Sequence, residues 1–277
     1  MKKFIKTSFI IAGVSIGIGI VGITVGLSLG GNELLKKAFY NHEFELISSD
    51  RYDVDEWTEE QEVEIVNQNE VQNVEIDMGT TSLYIEESQD EMIHIEGDEN
   101  SNVTCYVKDG TLYLDEIYPL KFIVNDRDCL RLYLPKELIL NYMDIELGAG
   151  VIDCKDLNVK ELTVETGVGK VKVEDSHVKD MDISVDAGIF DYTGEVDGAI
   201  MVDCKVGTVD ITIESSVEAR ESQQNYEIES AVGTVEIGQR HIRGLSGDTY
   251  IDNEADITYS IDCSVGTVKI NFVNLVS

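Results

Sequence analysis

Glycines at a fixed interval constrain this chain more than anything else in it. Gly150, Gly169, Gly188 and Gly207 are spaced by 19 residues three times running, and Gly233 and Gly266 follow after 26 and 33. Self-similarity at one period marks a stacked repeat, because the interval becomes a structural dimension. The longer steps read as the same unit with insertions of 7 and 14 residues. The copies are plain in CKVGTVDI (204–211), SAVGTVEI (230–237) and CSVGTVKI (263–270). A weaker first copy, VEIDMGTTSLYI from Val74, puts Thr81 at the glycine position and makes seven units.

Five residues before each centre stand Ile76, Ile145, Val164, Ile183, Val202, Ile228 and Ile261, all β-branched. Two and four residues after it come pairs such as Leu83 and Ile85, Ile152 and Cys154, Phe190 and Tyr192, and Val268 and Ile270. Apolar positions alternating with polar ones at period two are half-buried strands. Each unit is therefore strand, tight turn, strand. The central glycine serves a turn that needs positive φ or a close backbone approach, a structural role and not a catalytic one.

One unit cannot bury its own apolar row, so units must stack, with equal positions about 4.8 Å apart. The expected fold is all-β: a parallel β-solenoid (β-helix) of about seven glycine-centred repeats. A meander of antiparallel hairpins with the same period is the rival, and like residues persisting down each column favour the parallel stack. Asp109-Gly110, between the alternating runs of CYVKDGTLYLDE, is the best short hairpin signal in the chain.

Ahead of the repeats, SFIIAGVSIGIGIVGITVGLSL (8–29) carries no charge. As a helix it would measure roughly 33 Å against a bilayer core of about 30 Å. Lys2, Lys3 and Lys6 precede it, so the positive-inside rule puts the N-terminus in the cytoplasm and the rest outside the cell. A cleaved signal peptide with its cut after Gly30 is the competing reading. Gly22, Gly26 and Gly30 share one helix face, as do Gly13 and Gly17, and small faces let helices approach closely. The expected layout is a cytoplasmic N-terminus over 1–7, a transmembrane helix over 8–30, an acidic stalk or cap with Trp57 over 31–70, and repeats over 71–277.

The chain carries 54 acidic against 21 basic residues, a net charge of −33, which repels nucleic acid. Its 5 cysteines show no CxxC spacing, and Cys154, Cys204 and Cys263 fall on apolar positions of the repeat, as small buried hydrophobes do. His42, His94, His177 and His241 lie in separate segments, and no nucleophile elbow, zinc-protease, phosphate-loop or calcium-loop motif occurs. Asp126 and Asp128 in NDRDC read as a hydrophilic loop. No catalytic residue, cofactor or metal is expected.

Two surfaces stand out as candidates for binding. Four residues before each centre a polar column reads Asp77, Glu146, Glu165, Ser184, Asp203, Glu229 and Asp262, so six of seven units place a carboxylate on one outward line. In the column three residues after the centre, Lys172 falls between Asp153 and Asp191 and relieves repulsion there. The acidic line is either a solvated face or a collector of cations or a basic partner. The second surface is GQRHIRG (238–244), which opens the longer insertion and holds Arg240, His241 and Arg243 together. Insertions in a solenoid are extruded onto one face, which makes this loop a contact candidate. The last copy ends at Ile270, so its strand is expected to form an open end that NFVNLVS caps or that pairs with a second molecule.

LRLYLPKELILNYMDIELGAGVIDC, a strand closing in Leu-Pro before glycine-centred strand repeats, behind one N-terminal span, resembles the bacterial β-strand-repeat family known as "putative adhesin", in its membrane-anchored Gram-positive type. The resemblance covers about residues 71 to 273. It implies a cell-surface β-helical domain, with some relatives tied to envelope-stress signalling, and it carries no agreed catalytic residues. The functions it leaves open are an adhesin-like binding or scaffolding module, a regulatory domain touching another membrane protein, and a polysaccharide-active enzyme. Expected partners are membrane lipid at 8–30, a protein or cell-wall polymer, and a second copy through the glycine-rich span or the C-terminal edge.

Overall fold

The structure, a computed structural model, describes residues 63–67, 71–97, 103–116, 129–215, 221–243 and 247–274. The expected span over 8–30, Trp57, and Asp126 with Asp128 lie outside the described residues. Among the described residues no helix is long and apolar enough to cross a membrane.

The described chain is all-β and forms one large, mostly parallel sheet. Its strands are β1 (Val63–Asn67), β2 (Asn73–Met78), β3 (Ser82–Glu87), β4 (Met92–Glu96), β5 (Val103–Lys108), β6 (Thr111–Glu116), β7 (Cys129–Leu134), β8 (Leu140–Leu147), β9 (Val151–Lys155) and β10 (Asn158–Thr166). The long β11 (Lys170–Val185) follows, then β12 (Ile189–Val196), β13 (Ile200–Cys204), β14 (Thr208–Ser215), β15 (Asn225–Ser230), β16 (Thr234–Ile237), β17 (Arg240–Arg243), β18 (Gly247–Ile251), β19 (Thr258–Cys263) and β20 (Thr267–Asn274). β5 and β6 are the hairpin at Asp109-Gly110, where both residues take positive φ, 51° and 82°.

The copies pair in parallel, which overturns the antiparallel meander. The strands before each centre stack in the order β6, β2, β8, β10, the second half of β11, β13, β19, β15. The strands after each centre stack as β7, β3, β9, the first half of β11, β12, β14, β20, β16. Equal repeat positions face one another throughout: Ile145 pairs with Val164, and Val164 with Ile183. All seven β-branched residues five before the centre are buried, as are Leu83, Ile152, Val171, Phe190, Val209, Val235 and Val268 two after it. Full burial of such side chains contributes about 1.5–3 kcal/mol each over exposure, so these columns are the core of the sheet.

Two expectations need correction and a third is narrowed. First, spatial order departs from chain order at both ends. The Gly266 copy lies between those of Gly207 and Gly233, because β19 pairs with both β13 and β15 and β20 with both β14 and β16. The last copy is therefore interior: β20 is paired on both sides over 267–270, and by β14 alone over 271–274. At the other end β6 and β7 add a rung without a glycine centre outside β2 and β3, with Leu112 and Leu114 continuing the column of Val74 and Ile76.

Second, the longer insertion is not extruded. Its β17 and β18 run antiparallel against β16 and β15, just as β4 and β5 lie antiparallel on β7 and β6. Reversing direction at both ends terminates the repeat and covers the edges that would otherwise template further strands. Third, none of the six central glycines has positive φ. Close approach is the reason for them: a Cβ on Gly150 would sit 2.6 Å from the Thr81 carbonyl oxygen, and one on Gly169 2.8 Å from that of Gly150.

Candidate functional site

Because the turns stack in register, whatever they expose repeats down the corner. The amide of Val168 donates to Gly148 O at 2.8 Å, that of Ala187 to Gly167 O at 2.8 Å and that of Val206 to Asp186 O at 2.9 Å. Those of Val265 and Val232 continue the line to Lys205 O and Ser264 O, each at 2.8 Å. The residue just before each central glycine therefore forms a continuous ridge: Ala149, Val168, Ala187, Val206, Val265, Val232. Val168, Val232 and Val265 are 59%, 56% and 50% exposed, and exposed Val151 and Ile189 flank the ridge one strand position beyond the glycines. The sequence alternation treats these valines as turn residues, so the ridge escapes a search for buried periodicity. Its signal is Val-Gly written where a turn favours polar residues.

The acidic column borders this ridge three residues back along the chain. Register joins Asp77 to Glu146, Glu146 to Glu165, Glu165 to Ser184, Ser184 to Asp203, Asp203 to Asp262 and Asp262 to Glu229. All six expected carboxylates are exposed. The structure adds Asp115, which pairs with Asp77 from the rung that lacks a glycine centre. Desolvation, then the neighbouring charges of Asp77, Glu165 and Asp144, push Glu146 above the usual glutamate range. Desolvation and Asp203 push Asp262 above the usual aspartate range in the same way.

The column on the far side of the ridge mixes signs, with Lys172 between two aspartates as expected, although Asp191 and Asp210 are like-charged register neighbours. Lys172 pairs with Asp153 and Asp191 in register, and Lys269 lies between Asp210 and Glu236. The Lys170 ammonium meets Asp191 at 2.7 Å, and Arg131 stacks 5.4 Å over the Tyr84 ring in the same column. The ridge therefore separates a face of mixed charge from an acidic one.

Arg240 and His241 are not part of this surface. β17 holds them at the last edge, where Arg240 Nε reaches Glu221 Oε1 at 3.2 Å and His241 Nδ1 faces Glu236 Oε1 at 3.3 Å. Arg243 ends the strand opposite Thr234. The structure thus places the basic cluster against carboxylates and apart from the acidic column. His94 and His177 bind Asp90 and Asp197 at 2.8 and 2.7 Å in unrelated segments. Among the described residues no three histidine, cysteine or acidic groups meet as a metal site would require.

Glu116 is a functional element of the fold that spacing did not announce. Turn amides along the corner donate toward the first copy, which leaves the amides of its own turn without a rung to accept them. Glu116 supplies the acceptor: its Oε2 takes the amides of Gly79, Thr80 and Thr81 at 2.7, 2.8 and 3.0 Å. Successive amides converging on one carboxylate form an anion-binding nest. Desolvation works against the charge here, yet the donations from Thr80, Thr81 and Gly79 hold the carboxyl below the usual glutamate range.

No family model matches the chain, and no curated protein matches it significantly. Solved structures similar to it include a "putative cell adhesion protein" from Clostridium sporogenes, 19% identical, covering 78% of this chain and 100% of that one at a TM-score of 0.44. A "putative adhesin" from Bacteroides fragilis is 15% identical over 76% of this chain and 95% of that one, with a TM-score of 0.43. A "putative lipid binding protein" from Parabacteroides distasonis is 13% identical over 78% and 96%, with a TM-score of 0.25.

Proposed function

We propose that the chain is a binding module of the bacterial cell envelope, a parallel β-solenoid carried outside the cell on the transmembrane segment 8–30, of the adhesin type its sequence resembles. It acts by holding a partner, not by catalysis. The observation that carries this reading is the exposed valine ridge lying beside a register-aligned line of exposed carboxylates. Contiguous exposed apolar surface rimmed by charge is what interaction sites present. The complementary partner is a protein surface with an apolar strip bordered by lysine or arginine, since polyanions are repelled by the same column.

The test places a photo-crosslinking residue at Val206 or at Asp182, on the exposed side of β11 away from the ridge, in the full chain in its native membrane. The expected result is one protein captured at Val206 and not at Asp182, with capture falling at high salt and in the Glu165→Gln, Asp203→Asn double variant. Equal capture at both positions, or capture indifferent to salt and to the carboxylates, would reject the ridge as the binding surface.

A regulatory role toward another membrane protein is the second reading, and the glycines at 13, 17, 22, 26 and 30 favour it. Such a face suits a helix partner within the bilayer. Leucine at Gly22 and Gly26 would then abolish co-purification of that partner while leaving capture at Val206 intact.

A further inference from the structure

The column three residues before each centre reads Met78, Leu147, Thr166, Val185, Cys204, Cys263 and Ser230 in its spatial order. Cys204 and Cys263 are thereby direct register partners on the parallel strands β13 and β19, although 59 positions separate them in the chain. Both are free thiols and both are fully buried. We infer that Cys204 and Cys263 are an oxidation site, converted by hydrogen peroxide to a disulfide that staples the Gly207 copy to the Gly266 copy.

Geometry is the first support. In-register residues of adjacent strands lie about 4.8 Å apart, inside the span of about 4.4–6.8 Å between Cα atoms that a disulfide bridges. Equal register on parallel strands also points both side chains to the same face. The Cβ atoms of such neighbours sit slightly wider than the bond prefers, so closing it draws the two strands together and leaves a bond that a small dithiol reduces readily.

The surroundings are the second support. The Cys204 sulfur lies under Gly266, where a Cβ would come within 2.5 Å of it, and the Cys263 sulfur lies likewise under Gly233. Each thiol therefore packs against the backbone of a buried turn glycine. Hydrogen peroxide is small and uncharged, whereas a glutathione-type disulfide is bulky and anionic and meets the repulsion of a chain of net charge −33. Cys154, by contrast, faces Ile85 and Val173, so its register neighbours offer no thiol.

The Cys263 thiol donates to the Thr234 carbonyl at 3.9 Å, and the two sulfurs are close enough to interact directly. One of the two sulfurs, as thiolate, attacks one peroxide oxygen; the O–O bond breaks, and the departing hydroxide takes up the proton that this thiol released, giving water and a sulfenic acid. The other sulfur then attacks the sulfenic sulfur, its proton leaves with the hydroxyl group as a second water, and the S–S bond closes. Two thiols lose two electrons and two protons, and the peroxide is reduced to water.

The experiment uses the full chain in detergent micelles, treated with hydrogen peroxide, denatured, alkylated and digested without reductant. Titratable thiols should fall by two from the 5 in the sequence, one cross-linked peptide pair should contain Cys204 and Cys263, and the melting temperature should rise by several degrees until dithiothreitol reverses it. Cys204→Ala should lose both the link and the rise, and Cys154→Ala should keep them. Undiminished thiols, Cys263 recovered only as sulfinic acid, or a link joining any other pair would overturn the proposal. If Cys204→Ala does not fold, the peptide map of the unsubstituted chain decides the matter by itself.

Discussion

The amide of Thr267 donates to the carbonyl of Gly207 at 3.0 Å. Between them in the chain lies a whole copy of the repeat, centred on Gly233, whose own Thr234 amide instead donates to Gly266 O at 3.0 Å. The chain thus leaves the stack after Gly207, builds the outermost rung with its antiparallel hairpin, and returns to fill the place beneath it.

That relationship makes Gly207 an interior contact with a known upper neighbour. A Cβ there would collide with the Gly188 carbonyl and with Val185 Cγ1, and the backbone φ is not strained. Gly207→Val is therefore an overpacking change, expected to cost at least about 1–3 kcal/mol. Ser184→Ala, on the outward column, should stay within about 0.5 kcal/mol. Thermal unfolding of both variants is the check, and equal losses would mean that the register is wrong.

Glu116 should matter more than its surface position suggests. Glu116→Gln keeps the shape but weakens three charge-assisted amide bonds. Discounted for partial solvent access, the loss is expected to be about 1 kcal/mol at neutral pH. The sign follows from its lowered folded-state pKa. The carboxylate's contribution is complete above the ordinary glutamate range and disappears as pH falls through the lower folded value. Melts taken from neutral to acid should lose stability more steeply in the unsubstituted chain than in the Glu116→Gln variant. An identical acid limb in the two proteins would sink this account of the turn.

Most of the repeat was legible because one glycine per copy forces a common register, and a common register forces columns. Ile76 to Ile261 could be listed as buried from spacing alone. Copy order could not, because nothing local to Gly233 or Gly266 distinguishes a step onward from a step outward and back. The deciding contacts are between equivalent positions that look alike in every copy. The rung of Leu112 and Leu130 was missed for the opposite reason: it keeps the alternation and drops the glycine. Of the candidate surfaces, the carboxylate line was readable and the ridge was not, since the alternation assigns the valine before each glycine to the turn and gives it no column of its own.

The carboxylate line should behave as a repulsive face. Neighbours about 5 Å apart repel by about 0.8 kcal/mol even at the dielectric of water. Glu146 has its acidity weakened by desolvation and by Asp77, Glu165 and Asp144. Its charged form is therefore unfavourable in the folded state above the raised value, and the penalty is relieved as pH falls through it. Glu146→Gln should raise the melting temperature slightly at pH 7, with the gain shrinking through the acid range. Millimolar calcium should add nothing beyond sodium chloride of matched ionic strength. A calcium-specific rise that Glu146→Gln abolishes would instead make the line a cation site.

Removing residues 258–277 deletes an interior rung although it trims a terminus. Without β19 and β20 the strands β15 and β16 keep only their antiparallel partners β18 and β17, while β13 and β14 expose their edges. A two-stranded hairpin in water is marginal at best, so residues 225–251 should lose amide protection as a block. The newly opened edges are paired nowhere and should drive self-association, visible as a shift to larger species by size exclusion. Hydrogen exchange on the full and shortened chains separates the two topologies. Were the Gly233 copy stacked directly on Gly207, shortening the chain would leave β15 and β16 as protected as before.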